Sequence, residues 1–126
     1  MQESELCLPP NAWGVEVILD WKNGNSNVKS YNAIKCFGED LVNSIGMEAW
    51  GNAEIVHFGK DDKAGYTYSQ LITTSNICAD LCDESRNGYL NIFSCKNVTE
   101  EAVRNVVERW FCPELIKSTR IVRGVF

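Results

Sequence analysis

Residues 13–21, WGVEVILDW, alternate and then run apolar, which predicts a strand, and the turn-forming KNGNSN after them ends it. From about Ser30 the period changes. Ile34, Phe37, Leu41, Val42 and Ile45 recur at helical spacing, and Gly46 supplies the stop. AEIVHF (53–58) reads as a second strand and GKDDKAG after it as a flexible loop. YTYSQLITT (66–74) and NICADLC (76–82) follow as strand-like pieces, so that the polar stretch TTSNICADLC is expected to lie within buried strand. DESRNG turns the chain and YLNIFSC (89–95) returns it. Asn97 is expected to cap a second helix, with Glu100 reaching back as the capping-box acid. Its apolar stripe is Val103, Val106, Val107, Trp110 and Phe111, Pro113 closes it, and LIKSTRIV forms a last strand.

Strand, helix, hairpin-linked strands, helix and strand predict an α+β two-layer sandwich, an antiparallel sheet with two helices on one face. The 126 residues suffice for one such domain spanning the chain. One sheet face would then lie open, and a second copy commonly covers such a face, so a homodimer is expected.

Charge narrows the partners. With a formal net charge of -5 and no cluster of Lys and Arg, the chain lacks what a phosphate backbone requires, and no nucleic-acid partner is expected. The locally basic IKSTRIVRG reads as a solvated edge strand that resists pairing. No apolar run approaches a membrane span, and MQESELCLPP has neither a basic start nor an apolar signal core, so a cytoplasmic protein without a membrane partner is expected. In a reducing compartment Cys7, Cys36, Cys78, Cys82, Cys95 and Cys112 read as buried thiols, with one chemical exception, and NVT at Asn97 as a chance sequon. CADLC lacks the company for a zinc site, because His57 is the only histidine and no second close cysteine pair exists. No metal is expected.

Conventional catalytic motifs are absent. Ser75 has no GxSxG elbow and no assembled His-Asp pair, and the chain has neither GxGxxG nor GxxxxGK. The arrangement around Ser75 is more informative. Twenty residues on stands Cys95 in NIFSC, eight residues back stands Thr67 in GYT, VHF lies upstream and WGVEVILD near the start. Together these resemble the bacterial-type S-adenosylmethionine decarboxylase proenzyme family, over about Trp13 to Gly124.

The resemblance implies a chain that cuts itself between Thr74 and Ser75 and turns Ser75 into a pyruvoyl cofactor, without dividing the folded unit. In that reading Ser75 attacks the Thr74 carbonyl, and the resulting ester eliminates and hydrolyses to a terminal ketoacyl group. The ketone forms a Schiff base with the amine of S-adenosylmethionine and accepts the electrons released with carbon dioxide, on the way to the aminopropyl donor for spermidine. Cys95 matches the thiol that protonates the product carbon, a role suited to a thiol because thiols are mostly protonated at neutral pH. Thr67 matches a hydroxyl that assists self-cleavage. Phe58, after His57, matches an aromatic that stacks on adenine. An aromatic face also suits a cationic sulfonium. His57 and Tyr66 are further substrate-binding candidates, and Tyr68 and Trp21 are aromatic candidates for the same pocket, though for Tyr66, Tyr68 and Trp21 the plain core reading weighs more than it does for Phe58.

Three positions depart from the family's pattern. Asp80 stands where the family has a histidine that moves protons during cleavage, Thr74 where a glutamate is common, and Glu16 where a histidine is frequent. Cys78 and Cys82 have no assigned role and read as small buried hydrophobes. Two alternatives therefore stand beside the decarboxylase. One is a non-cleaving homologue that binds or otherwise degrades S-adenosylmethionine, or acts as a regulatory partner; the other is a pyruvoyl enzyme acting on ornithine or arginine.

Overall fold

A computed structural model describes residues 8–125. Cys7 lies outside them. The elements in order are β1 (Ala12–Lys22), α1 (Tyr31–Ser44), β2 (Ala49–Phe58), β3 (Gly65–Ile72), β4 (Ser75–Cys82), β5 (Gly88–Ser94), α2 (Glu100–Phe111) and β6 (Leu115–Gly124). The six strands form one sheet in the order β2-β3-β4-β5-β1-β6, every neighbouring pair antiparallel. This is the expected two-layer α+β sandwich.

The strand period sorts the side chains. Alternate residues of a strand point to opposite faces, so Val15, Val17, Leu19 and Trp21 of β1, Ile77, Ala79 and Leu81 of β4, and Leu90 and Ile92 of β5 meet the helices and are buried. The helices bring matching stripes, Ile34, Phe37, Leu41 and Val42 from α1 and Val103, Val106, Val107 and Phe111 from α2. Trp21 stacks on Phe111 with ring centroids 5.0 Å apart, and Phe111 meets Phe37 edge-on at 4.8 Å. Burying each large apolar side chain here is worth roughly 1.5–3 kcal/mol over leaving it in water.

The other residues of each strand form a face that no helix covers among the described residues. The expected buried character of Cys78 and Cys82 is overturned for this reason. As even-numbered members of β4 they point away from the helices, leaving Cys78 exposed and Cys82 half-buried. Cys36 and Cys112 are exposed as well, on the outer sides of the helical layer.

Helix boundaries follow local chemistry. Ser30 caps α1, its side chain accepting from the Ala33 amide at 3.1 Å, and Gly46 at φ 70° leads the chain away from the helix end. The cap of α2 is Thr99, not Asn97: the Thr99 hydroxyl accepts from the Ala102 amide at 3.2 Å. Asn97 sits two residues too early and accepts instead from Arg120. Glu100 is the first helical residue, where it cannot reach back as a capping-box acid, and it accepts from the Ser118 hydroxyl at 2.5 Å. β2 starts earlier than expected, and its register against β3 shifts between Trp50 and Glu54. The chemistry of GKDDKAG is a single short helical turn, Asp61–Lys63. No helix among the described residues is long and apolar enough to cross a membrane.

One polar cluster ties the helices together. Asp40 on α1 accepts from Arg109 Nε at 3.0 Å, Arg109 Nη2 at 3.2 Å and Trp110 Nε1 at 2.8 Å, all from α2, and from its own neighbour Ser44 at 3.1 Å. The bonds from Arg109, then Trp110, hold the Asp40 carboxyl below its ordinary 3.8. A carboxylate depressed in the folded state stabilises fully above the unfolded value and loses that contribution as pH falls through the folded value. Stability is therefore expected to fall as pH drops below 3.8, and Asp40→Asn, followed by urea denaturation at stepped pH, should flatten that part of the dependence.

Candidate active site

The sequence TTSN conceals a turn. Ile72, last in β3, pairs with Ser75, first in β4, so Thr73 and Thr74 alone connect the two strands. The expectation of continuous strand through Thr74 is thus corrected: two β-branched residues with good strand propensity occupy the hairpin tip. Thr73 is held from outside, its amide donating to Glu48 O at 3.0 Å. Thr74 adopts φ 62°, a left-handed conformation that crowds a β-branched side chain and costs of order 1–3 kcal/mol. That strained residue contributes the carbonyl of the Thr74–Ser75 bond.

The end of β5 packs against this turn. Ser75 and Cys95 are twenty residues apart in sequence and adjacent in space: the Cys95 amide donates to Ser75 Oγ at 2.9 Å. The Cys95 sulfur lies 2.7 Å from Thr74 Oγ1. Because the Thr74 hydroxyl also donates to Thr73 O at 2.7 Å, its single proton is committed, and the thiol is the donor in the contact with Thr74. Ser75 is buried, Cys95 half-buried. A serine hydroxyl, a peptide bond following a strained residue and a thiol thus share one small volume. Gly14 permits the approach, since a Cβ there would lie 2.0 Å from Ser94 O and 2.9 Å from the Cys95 Cα.

The remaining candidates lie elsewhere. Thr67 and Asp80 are direct cross-strand partners, and the Thr67 hydroxyl donates to Asp80 Oδ1 at 2.6 Å. Both are on the open face, whereas Ser75 shares the helix-side face with its partner Ile72. Five residues of strand separate Asp80 from Ser75, about 17 Å at the usual rise, so within one chain Asp80 does not touch the Ser75 hydroxyl. The equivalence with the family's histidine in sequence is not proximity in this chain.

Phe58 is on the open face too. With Glu54, Val56, Thr67 and Ser69 it lines a cavity of about 430 Å³, and the residue is 59% exposed. His57, the next residue back, points to the helix side, where it meets the Tyr66 ring edge-on at 4.9 Å and Asp83 Oδ2 at 2.6 Å. His57 and Tyr66 therefore stand on the opposite face from Phe58. The structure adds Asp83 as the histidine's partner, a residue not singled out in the sequence, and gives Thr74, expected only at the scissile bond, a second place as the thiol's partner. Thr74 was visible as a departure from a common glutamate. Asp83 left no signal, because 26 positions separate it from His57.

A family model described as S-adenosylmethionine decarboxylase matches residues 15–124. The chain belongs to the S-adenosylmethionine decarboxylase family. Among solved structures it is similar to the adenosylmethionine decarboxylase from Aquifex aeolicus VF5, with a TM-score of 0.75 and 13% sequence identity over 92% of this chain and 94% of that one. At that identity the likeness is one of fold. No curated protein matches the chain in sequence.

The strain at Thr74 is testable apart from catalysis. Asparagine tolerates the left-handed region better than a β-branched residue, so in a Ser75→Ala background Thr74→Asn is expected to raise stability by about 1 kcal/mol, measured as a shift of the urea midpoint at constant slope. Ser75→Ala itself should leave the far-UV circular dichroism unchanged.

Proposed function

We propose that the chain cuts itself between Thr74 and Ser75 and decarboxylates S-adenosylmethionine, supplying the aminopropyl donor for spermidine. The observation that carries this reading is the meeting of Ser75 Oγ, the Thr74–Ser75 bond and the Cys95 thiol at one hairpin tip. Family membership supplies the reaction class.

In the proposed cleavage Ser75 Oγ adds to the Thr74 carbonyl carbon, the peptide nitrogen leaves protonated, and Thr74 becomes esterified to Ser75. Loss of the ester by elimination and hydrolysis of the resulting enamine would release the N-terminal fragment and ammonia. Strain at Thr74 favours departure from the planar starting peptide. The residues present suit a pyruvoyl group in place of Ser75: Oγ would leave with the N-terminal fragment, and the Cys95 amide that now donates to it would be left as a backbone donor beside the new ketone, whose oxygen stands on Cα in place of the lost nitrogen. When formed, the group supplies an electron sink for the pair released with carbon dioxide. Cys95 holds its proton beside that position and donates it to the product carbon. Phe58 is seven strand positions, about 23 Å, from Ser75 of its own chain and on the other face, so in this proposal the aromatic face of its cavity and the Glu54 carboxylate meet a cationic sulfonium only where a second copy brings its own Ser75 to that face.

Thr67 and Asp80 belong to the open face in this proposal, and a second copy of the chain covers that face in a homodimer. Their hydroxyl–carboxylate pair then serves the interface and the substrate held there, since it cannot reach Ser75 of its own chain. Val56, Phe58, Leu71, Tyr89 and Ile121 are exposed apolar residues of the same face, available for burial between copies.

Two fragments on a denaturing gel, with a pyruvoyl-blocked C-terminal fragment by mass and release of carbon dioxide from S-adenosylmethionine, are the expected outcomes. Ser75→Ala should abolish both. Cys95→Ala should retain cutting and lower the decarboxylation rate by about 10²-fold or more, the scale of a lost general acid. A freshly made chain that stays full-length yet binds S-adenosylmethionine by calorimetry would instead identify a non-cleaving homologue. Sedimentation should show a dimer, and the rate of cutting should rise with protein concentration until dimerisation is complete.

A further inference from the structure

A larger cavity, about 590 Å³, lies on the helix side between α1, the start of β2 and β3. It exists because the edge strand is irregular. Between Trp50 and Glu54 β2 loses register with β3, and Gly51 turns through φ 72°. The bulge is held by Gln70, whose Nε2 donates to Leu71 O at 2.7 Å and to Trp50 O and Gly51 O at 3.2 and 3.3 Å. All the donor capacity of that amide is spent on backbone. Its oxygen accepts no hydrogen bond among the described residues, although the side chain lines the cavity and is only 5% exposed.

Tyr68 gives the floor a second polar atom. The residue is 1% exposed, lines the cavity, and its hydroxyl has no hydrogen-bond partner among the described residues. Gly38 on α1 makes room for it, for a Cβ there would lie 2.3 Å from the Tyr68 oxygen. Burial, and secondarily the charge of Glu39, push the phenol's pKa upward, so it stays a neutral donor. Facing the cavity, this hydroxyl can donate to an acceptor placed there.

The rim carries both signs of charge. Lys35 and Glu39 are one helical turn apart on the same side of α1, and neither has an ion-pair partner among the described residues. Val42, Met47 and Ile55 supply an apolar wall. A monoanion would meet the Glu39 charge and a monocation the Lys35 charge. A zwitterion answers both.

We propose that this cavity binds a free α-amino acid with an apolar side chain. Its carboxylate faces the Lys35 ammonium and accepts from Tyr68, its ammonium faces Glu39 and the Gln70 oxygen, and its side chain lies along Val42, Met47 and Ile55. The site is on the opposite face of the sheet from the Phe58 cavity and does not depend on the chemistry at Ser75.

The test uses the full-length Ser75→Ala chain and L-leucine, with amide NMR shifts of Gly38, Ala53 and Gln70 as readout. Saturable shifts are expected with a dissociation constant on the order of 1 mM or below. Leucinamide, which lacks the carboxylate, and 4-methylpentanoate, which lacks the amine, should each bind at least about tenfold more weakly if both charges are read. Tyr68→Phe should weaken L-leucine about fivefold or more. Should that variant misfold, Glu39→Gln, on the exposed side of α1, should produce a comparable loss in a chain of unchanged circular dichroism. No shift of these amides at about 20 mM L-leucine would overturn the proposal, as would equal binding of 4-methylpentanoate, which would mark a simple carboxylate site, or preferential binding of adenosine.

Discussion

The pairing of Ile72 with Ser75 leaves Thr73 and Thr74 as the whole connection between β3 and β4, and much of the site follows from that economy. A turn this short requires a left-handed residue, and the chain supplies a threonine where glycine or asparagine would sit without strain. The strained position immediately precedes the candidate nucleophile. Ser75 opens the next strand and therefore has its backbone fixed by pairing, while the amide of Cys95 fixes its oxygen from the neighbouring strand. Neither partner is free to relax alone, because the turn is also anchored to Glu48 on the far side.

Sheet alternation then divides the chemistry between two surfaces. Ser75, His57, Tyr66, Tyr68 and Gln70 share the helix side. Thr67, Asp80, Phe58 and Glu54 share the open side. The cysteine stands at the border, just past the last residue of β5, where strand geometry ends and its sulfur can approach the turn. A single sheet can thus present the Thr74–Ser75 hairpin at one end and a separate cavity on each face. The helical layer has a different task. Asp40, bonded by Arg109 and Trp110, locks α1 to α2 and so keeps the inner face of the sheet covered.

Most of the architecture was legible in the linear pattern. The helical repeats around Ile34–Ile45 and Val103–Phe111, and the turn-forming residues between strands, indicated two helices and the strands they cover, because burial on one face imposes a period that composition alone cannot imitate. Boundaries were less secure. Asn97, Thr99 and Glu100 are all competent near a helix start, and only the direction of the incoming chain selects Thr99. In the same way ITTSN has the propensities of a strand, and the turn within it exists because β3 and β4 must pair in register.

What the residues determined by themselves was the period of each element and the presence of a serine, a threonine and a cysteine at spacings that mark the family. Tertiary structure decided which of them meet. Ser75 and Cys95 come together because β4 and β5 are neighbours whose ends coincide. Asp80 and Ser75, only five positions apart, do not, because an extended strand carries them about 17 Å apart and turns them to opposite faces. Proximity along a chain and proximity across a sheet obey different rules, the first set by covalent rise and the second by hydrogen-bonded register.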